Sequence, residues 1–329
     1  MKAIIPVAGV GTKLRPHSYT QPKALIPLAG KTILGIIIDQ LKEAGIHEFI
    51  FVVGHLGEKI ENFIKDYYPE LKSHYVQQID RQGVGQAILL TRELVGEDEI
   101  FIVLGDTICE YDIQSVIREN KSMIGLRKVE DPRDFGVAEV NENGCIERVV
   151  EKPQIPKSNL ALVGIYKIKE TAALFHCLEN NISQGLRSHG EYSLTDALDC
   201  MIGQGVVMKS FKVENWFDCG RKETLLESNA LLLKKFAPTV EAAQFQNTVI
   251  IPPVSVGPNC TISNAVIGPN VAIGENTVIN SSVVKESIIG SYSTIQDIVI
   301  SDSVVGSDTL LKGESRSLNV GDNTSIDLG

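Results

Sequence analysis

Two different periods run along this chain. Over its first two thirds, short β-branched runs alternate with stretches in which apolar residues return every three or four positions. The runs "AIIPVA", "EFIFVVG", "SHYVQQ" and "EIFIVLGD" read as strands, and Ile33 to Ala44, Glu58 to Tyr67 and Val84 to Val95 carry helical spacing between them. Such an order predicts an α/β domain, a Rossmann-like mixed, mostly parallel sheet covered by helices. The pattern ends near Pro238. Beyond it, small apolar residues followed by glycine recur in Val256-Gly257, Ile267-Gly268, Ile273-Gly274, Ile289-Gly290 and Val305-Gly306, with aliphatics also at Ile262, Ile279, Val284, Ile295, Ile300 and Leu311. Their steps of five or six residues fit no helix. A solenoid of very short strands does fit, with Gly, Asn, Ser and Asp at its corners.

Two domains follow: residues 1–237, of which 221–237 form a connecting helix stopped at Pro238, and residues 238–329, the solenoid with a short tail. A length of 329 residues suits that division. Net charge is -10, so neither nucleic acid nor an anionic membrane is the expected partner, and any anionic substrate must be met by a local group of cations. The six cysteines are dispersed without a Cys-x-x-Cys pair, which predicts reduced thiols and no structural zinc. Neither a leader-like apolar core nor a membrane-length apolar span is present, and a cytoplasmic location is expected. The stretch from Glu314 to Gly329 is polar with scattered aliphatics and suggests no function.

The candidate chemistry begins directly after the first strand, in "GVGTKLRPHSYTQPK". Gly9 and Gly11 give G-x-G, but no third glycine follows at Leu14, and Pro16 and Pro22 prevent a helix from starting there. Both facts argue against a dinucleotide fingerprint. No G-x-x-x-x-G-K-[ST] can be drawn either. What remains is a long loop with flexible glycines and the cations Lys13, Arg15 and Lys23. It is suited to a polyphosphate, or equally to being a solvated loop.

"GVGTKLRPHSYTQPKALIPLAGKTIL" resembles the signature of the sugar-1-phosphate nucleotidyltransferases, G-x-G-T-R-L-x-P-x-T-x-x-x-P-K-x-[LM]-x-P-[VL]. "QIDRQGVGQAI" is similar to the family's base-reading segment, "LGDT" to its metal-aspartate motif, "DFGVAEV" to its sugar-side strand, "VEKP" to its sugar-phosphate lysine motif and "WFDCGRKETLLESN" to its second metal-aspartate motif. The glycine-rich repeats resemble the left-handed parallel β-helix of hexapeptide-like repeats that many members append. Glucose-1-phosphate thymidylyltransferase or uridylyltransferase types are the members most resembled.

The resemblance implies transfer of a nucleotidyl group from a nucleoside triphosphate to a sugar 1-phosphate, with glucose 1-phosphate and dTTP or UTP expected as substrates. Lys13 and Lys23 would meet the phosphates, and Asp106 and Asp218 would hold Mg²⁺. Ala8, Gly9, Gly11, Thr12, Gln78 and Gly83 would form the nucleotide site, and Gly136, Glu151, Lys152 and Gly164 the sugar-phosphate site. Where the signature has arginine, this chain has Lys13, which keeps the charge but loses the planar two-pronged contact. Lys13 leaves open a non-catalytic regulatory or assembly member, and a base assignment that rests on Gln78 leaves open a mannose-1-phosphate guanylyltransferase. Acetyl transfer by the solenoid is not expected, since no histidine follows His189. The solenoid's flat faces suggest a homo-oligomer.

Overall fold

The computed structural model describes residues 1–314 and Ser325, and of Asp218 the backbone alone. The stretch from Glu314 onward, for which the sequence suggests no role, lies almost wholly outside the described residues. The chain divides into two compact units, Met1–Ile26 with Lys31–Ser228, and Pro27–Gly30 with the chain from Asn229 onward.

Strands of the first unit are β1 (Lys2–Pro6), β2 (Glu48–Val53), β3 (Lys72–Gln77), β4 (Ile100–Val103), β5 (Thr107–Glu110), β6 (Ser122–Lys128), β7 (Gly136–Val140), β8 (Ile146–Glu151), β9 (Leu160–Ile168), β10 (Met208–Lys212) and β11 (Asn215–Asp218). Among the described residues nine of them form one sheet, ordered β8-β7-β9-β4-β1-β2-β3, with β6 joining β9 to β10. The β4-β1-β2-β3 half is parallel, and Ile4 stands beside both Ile50 and Ile102 with none of the three exposed. Burial on both faces is why these strands read as unbroken apolar runs. Strand β9 is antiparallel to β4, β6 and β7, and extends the sheet on that side. β5 and β11 form a separate antiparallel ribbon.

The helices are α1 (Ile33–Glu43), α2 (Gly57–Tyr67), α3 (Val84–Leu89), α4 (Arg92–Val95), α5 (Ile113–Arg118), α6 (Thr171–Ser183), α7 (Leu194–Gly203) and α8 (Lys222–Phe236). The sequence predicts one helix from Val84 to Val95, and the structure breaks it. Thr91 is fully buried and turns its hydroxyl back onto the Ile88 carbonyl at 2.7 Å, which ends α3 and restarts the chain as α4. A second correction concerns the thiols. Cys177 of α6 and Cys200 of α7 are joined in a disulfide, because the packed helices bring Cα atoms 23 residues apart in sequence to 6.0 Å.

The second unit is a left-handed β-helix with three four-stranded parallel sheets. Each interior row is a ladder in register: Ile262, Ile279, Ile295 and Leu311 on one face, and Ile267, Val284 and Ile300 on another. The corners explain the polar residues between them. Asn259, Asn264, Asn270, Asn276, Asp297, Asp302 and Asp308 all have φ between 49 and 58°, left-handed backbone that Asn and Asp tolerate best after glycine.

Candidate functional site

The glycine-rich loop leaves β1 at its carboxyl end. Ala8 is buried and Gly9 exposed, and Gly11, at φ 64°, opens a single tight turn, Thr12–Leu14, on which Lys13 stands exposed. The Ser18 hydroxyl donates to the Gly11 carbonyl at 2.7 Å and folds the loop back on itself. Lys23 comes to lie against Gly11, and its ammonium meets Asp106 Oδ2 at 2.5 Å. Asp106 follows β4, the neighbour of β1, so adjacent parallel strands deliver the two charges to one end of the sheet. Across the β5–β11 ribbon the backbone of Asp218 stands opposite Thr107, next in chain to Asp106. The Asp218 carboxylate lies outside the described residues.

Gln78 follows β3 and is almost wholly buried. Its amide nitrogen donates to the Gly83 carbonyl at 3.1 Å and to Gln86 Oε1 at 2.6 Å. The backbone carbonyl fixes which end of the amide is nitrogen, so the side-chain oxygen is the acceptor left to a ligand. Gly83, at φ 114°, could carry no side chain, since a Cβ there would lie 2.6 Å from the Tyr192 carbonyl. That segment interlocks with the next: Gly85 N–H donates to Tyr192 O at 2.8 Å, and Tyr192 N–H donates to Gln82 O at 2.7 Å.

On the other side of Asp106 lies a cavity of about 330 Å³, whose wall includes Gly136, Glu151, Lys152, Gly164, Thr195 and Trp216. This is within the range of small-molecule sites. Glu151 ends β8, and its Oε2 accepts from Thr195 Oγ1 at 2.6 Å and from Ser193 Oγ at 3.4 Å. Lys152 has φ 41° and is held there by its N–H on the Phe135 carbonyl at 3.1 Å. Gly164, at φ 88°, lets β9 pass Leu104, where a Cβ would stand 2.8 Å from the leucine side chain. Burial pushes the Tyr166 phenol up, as does the nearby Glu151 charge. Desolvation likewise raises the Asp196 carboxyl, although a hydrogen bond with Ser188 opposes this.

The predicted residues thus fall in three groups around the carboxyl ends of β1, β3 and β4, with Asp106 on the cavity wall. Ser193, Thr195 and His189, which also line the cavity, are absent from the sequence reading. "SLTD" at Ser193 to Asp196 has the spacing of a capping box and announces a helix start, but nothing in it announces a reach to Glu151.

An open α/β sheet with a glycine-rich loop, a lysine–aspartate pair and an adjoining polar cavity defines a protein that handles phosphorylated small molecules. The chain belongs to the nucleotidyl transferase family, whose model matches residues 2–235. It is 30% identical over 325 residues to a glucose-1-phosphate thymidylyltransferase of Streptomyces griseus, covering 96% of this chain and 89% of that one. It is 35% identical over 244 residues to the low-salt glycan biosynthesis nucleotidyltransferase of Haloferax volcanii, covering 71% of this chain and 66% of that protein's length. Among solved structures, a UDP-glucose pyrophosphorylase complexed with UDP-glucose matches 71% of this chain and 99% of its own, at 25% identity and a TM-score of 0.62.

Proposed function

We propose that the protein joins a nucleoside triphosphate to a sugar 1-phosphate, releasing pyrophosphate and an NDP-sugar, with glucose 1-phosphate and dTTP or UTP as substrates. The observation that carries this reading is that Asp106, already paired with Lys23, and Lys152, beside Glu151, face one cavity. The nucleophile, a phosphate oxygen of the sugar 1-phosphate, is anionic at neutral pH, so no general base is needed. Its bond to the α-phosphorus forms as the bond from that phosphorus to the β-bridging oxygen breaks, and the electron pair leaves with pyrophosphate. Lys152 orients the sugar phosphate, Lys23 neutralises charge near the α-phosphate, and Lys13 lies along the triphosphate. Glu151, Gly136 and Gly164 receive the sugar ring. The Gln78 oxygen accepts a hydrogen bond from the base. Thymine and uracil, which carry a ring N–H on that edge, suit it, as does guanine, whereas adenine and cytosine offer a donor there only through their exocyclic amino groups.

Among the described residues no three His, Cys, Asp or Glu cluster as a metal site, so a divalent cation would be held by one or two aspartates together with the substrate's own phosphates. Among the described residues four carboxylates, Asp106, Asp134, Glu151 and Glu191, and one lysine, Lys152, line the cavity, and Lys23 meets Asp106 beside it, so a phosphate-bearing substrate would gain from further positive charge there. Asp106 and Asp218 would hold Mg²⁺, which supplies that charge at the phosphate oxygens. The β-helix is proposed to pair copies of the chain. Val249, Val266, Val283 and Val299 stand in register along one sheet, with Val249 55% and Val299 72% exposed. Light scattering that finds a monomer at micromolar concentration would remove that part. A cytoplasmic location, where nucleoside triphosphates are supplied, is proposed with this reaction.

The reaction is tested by incubating the protein with Mg²⁺ and each pairing of dTTP, UTP, GTP, CTP and ATP with glucose, galactose, mannose and N-acetylglucosamine 1-phosphates while following pyrophosphate. Release with dTTP or UTP and glucose 1-phosphate is expected. Lys13 in place of the signature arginine favours one other reading, a non-catalytic member, and folded protein that binds nucleotide but turns over no pair would establish it.

A further inference from the structure

Glu151 stands between a hydroxyl and an ammonium. Its Oε2 is taken by Thr195 at 2.6 Å, while its Oε1 lies 3.9 Å from Lys152 Nζ, beyond hydrogen-bond distance. At that distance the two charges attract without touching, and a closer approach would add a charge-assisted hydrogen bond. Here the carboxylate is only 18% exposed and is anchored from the opposite side. The anchor is rigid: Thr195 is 5% exposed and lies in the first turn of α7, where its N–H donates to the Ser193 hydroxyl at 3.0 Å. Gly136 closes the remaining side, for a Cβ there would stand 3.1 Å from Thr195 Oγ1 and 3.2 Å from Glu151 Oε2.

We propose that Thr195 is a positioning residue that holds the Glu151 carboxylate away from Lys152, so that the ammonium stays open for the phosphoryl group of the sugar 1-phosphate. This rests on the reaction proposed above. Without the Thr195 hydroxyl only the 3.4 Å bond from Ser193 holds the carboxylate, so Glu151 turns onto its neighbour and tightens the 3.9 Å ion pair into a hydrogen-bonded one, which the incoming phosphate must then break. Loss of Thr195 therefore acts on sugar-phosphate affinity and not on the nucleotide.

The test compares Thr195→Val, which keeps the shape and removes the hydroxyl, with Thr195→Ser, which keeps the hydroxyl, and with Thr195→Ala as a second deletion should the valine variant not fold. A lost charge-assisted hydrogen bond predicts a rise of about tenfold in KM for glucose 1-phosphate in Thr195→Val, with kcat and KM for dTTP within about twofold, and recovery in Thr195→Ser. In a Glu151→Gln background the same change should add no more than about twofold, because a neutral amide does not pair with the ammonium. Calorimetry with glucose 1-phosphate alone should give the same ratio of Kd values. An unchanged KM in Thr195→Val, an equal rise in the Glu151→Gln background, or absence of glucose 1-phosphate binding to the wild type would each overturn the inference. Binding without pyrophosphate release from any substrate pair would instead overturn the proposed reaction, and the Kd ratio would still decide the role of Thr195.

Discussion

Replacing Lys23 with alanine should separate stability from chemistry by a wide margin. The Lys23 ammonium sits 2.5 Å from Asp106, but the two side chains are 17% and 45% exposed, and solvent at the aspartate screens the pair. A partly exposed ion pair contributes about 1 kcal/mol at most to folding. For a domain of this size that is a fall of about 2–4 °C in melting temperature. In the proposed reaction the same ammonium would face charge that develops as pyrophosphate departs, and loss of one such preorganised donor costs about 10²–10³ in kcat. The assay is pyrophosphate release at saturating substrates, with the melting temperature measured on the same preparation. A kcat within about tenfold of wild type, against that expectation, would refute the assignment of Lys23 to the reacting phosphates. A melting temperature lower by more than about 8 °C would show that the lysine is chiefly structural.

Three further predictions come from other parts of the molecule. Lys13→Arg restores the two-pronged donor and should lower KM for the triphosphate by about three- to tenfold, read from initial rates at fixed glucose 1-phosphate; an unchanged KM would show that the loop does not use a fork there. Burial raises the Asp196 carboxyl above its ordinary 3.8, so the folded state holds that proton more tightly than the unfolded chain. Its contribution to stability is full below that ordinary value and is lost as pH rises through the raised one. Asp196→Asn should therefore melt higher than wild type at neutral pH, and the gain should vanish in calorimetric scans near pH 3. The Cys177–Cys200 bond closes a loop of 23 residues. It should be worth about 3 kcal/mol, a fall of about 6–12 °C in melting temperature on reduction or in Cys200→Ser. Identical melting with and without reductant would show that the bond is not formed in solution.

The sequence carried the β-helix in unusual detail because each coil must place an aliphatic residue inward and a left-handed residue at its corner, and both requirements leave their mark on residue type. The α/β unit was readable for a related reason: strands such as β1 and β4 are buried on two faces, and nothing polar interrupts them. The break at Thr91 was not readable, since a buried threonine bonding to its own helix looks the same in sequence as one facing water. Pairing of Cys177 with Cys200 depends on how α6 meets α7, which spacing does not encode. Of the candidate site, the sequence marks the positions where the backbone itself is constrained, Gly11, Gly83 and Gly164. The site was illegible where an ordinary hydroxyl, Thr195, gains its role from a residue 44 positions away.

The interlock between Gln82–Gly85 and Tyr192 bears on how specificity in this chain could be changed. The segment held against the proposed base-reading turn continues directly into Ser193 and Thr195, which hold Glu151. A graft that exchanges only the base-reading turn would keep a foreign backbone against the Tyr192 carbonyl, where Gly83 leaves no room even for a methyl group. The graft would therefore disturb the sugar side as well. On the proposed roles, the two segments are mechanically linked, and an exchange between relatives should carry residues 78–86 and 188–195 together.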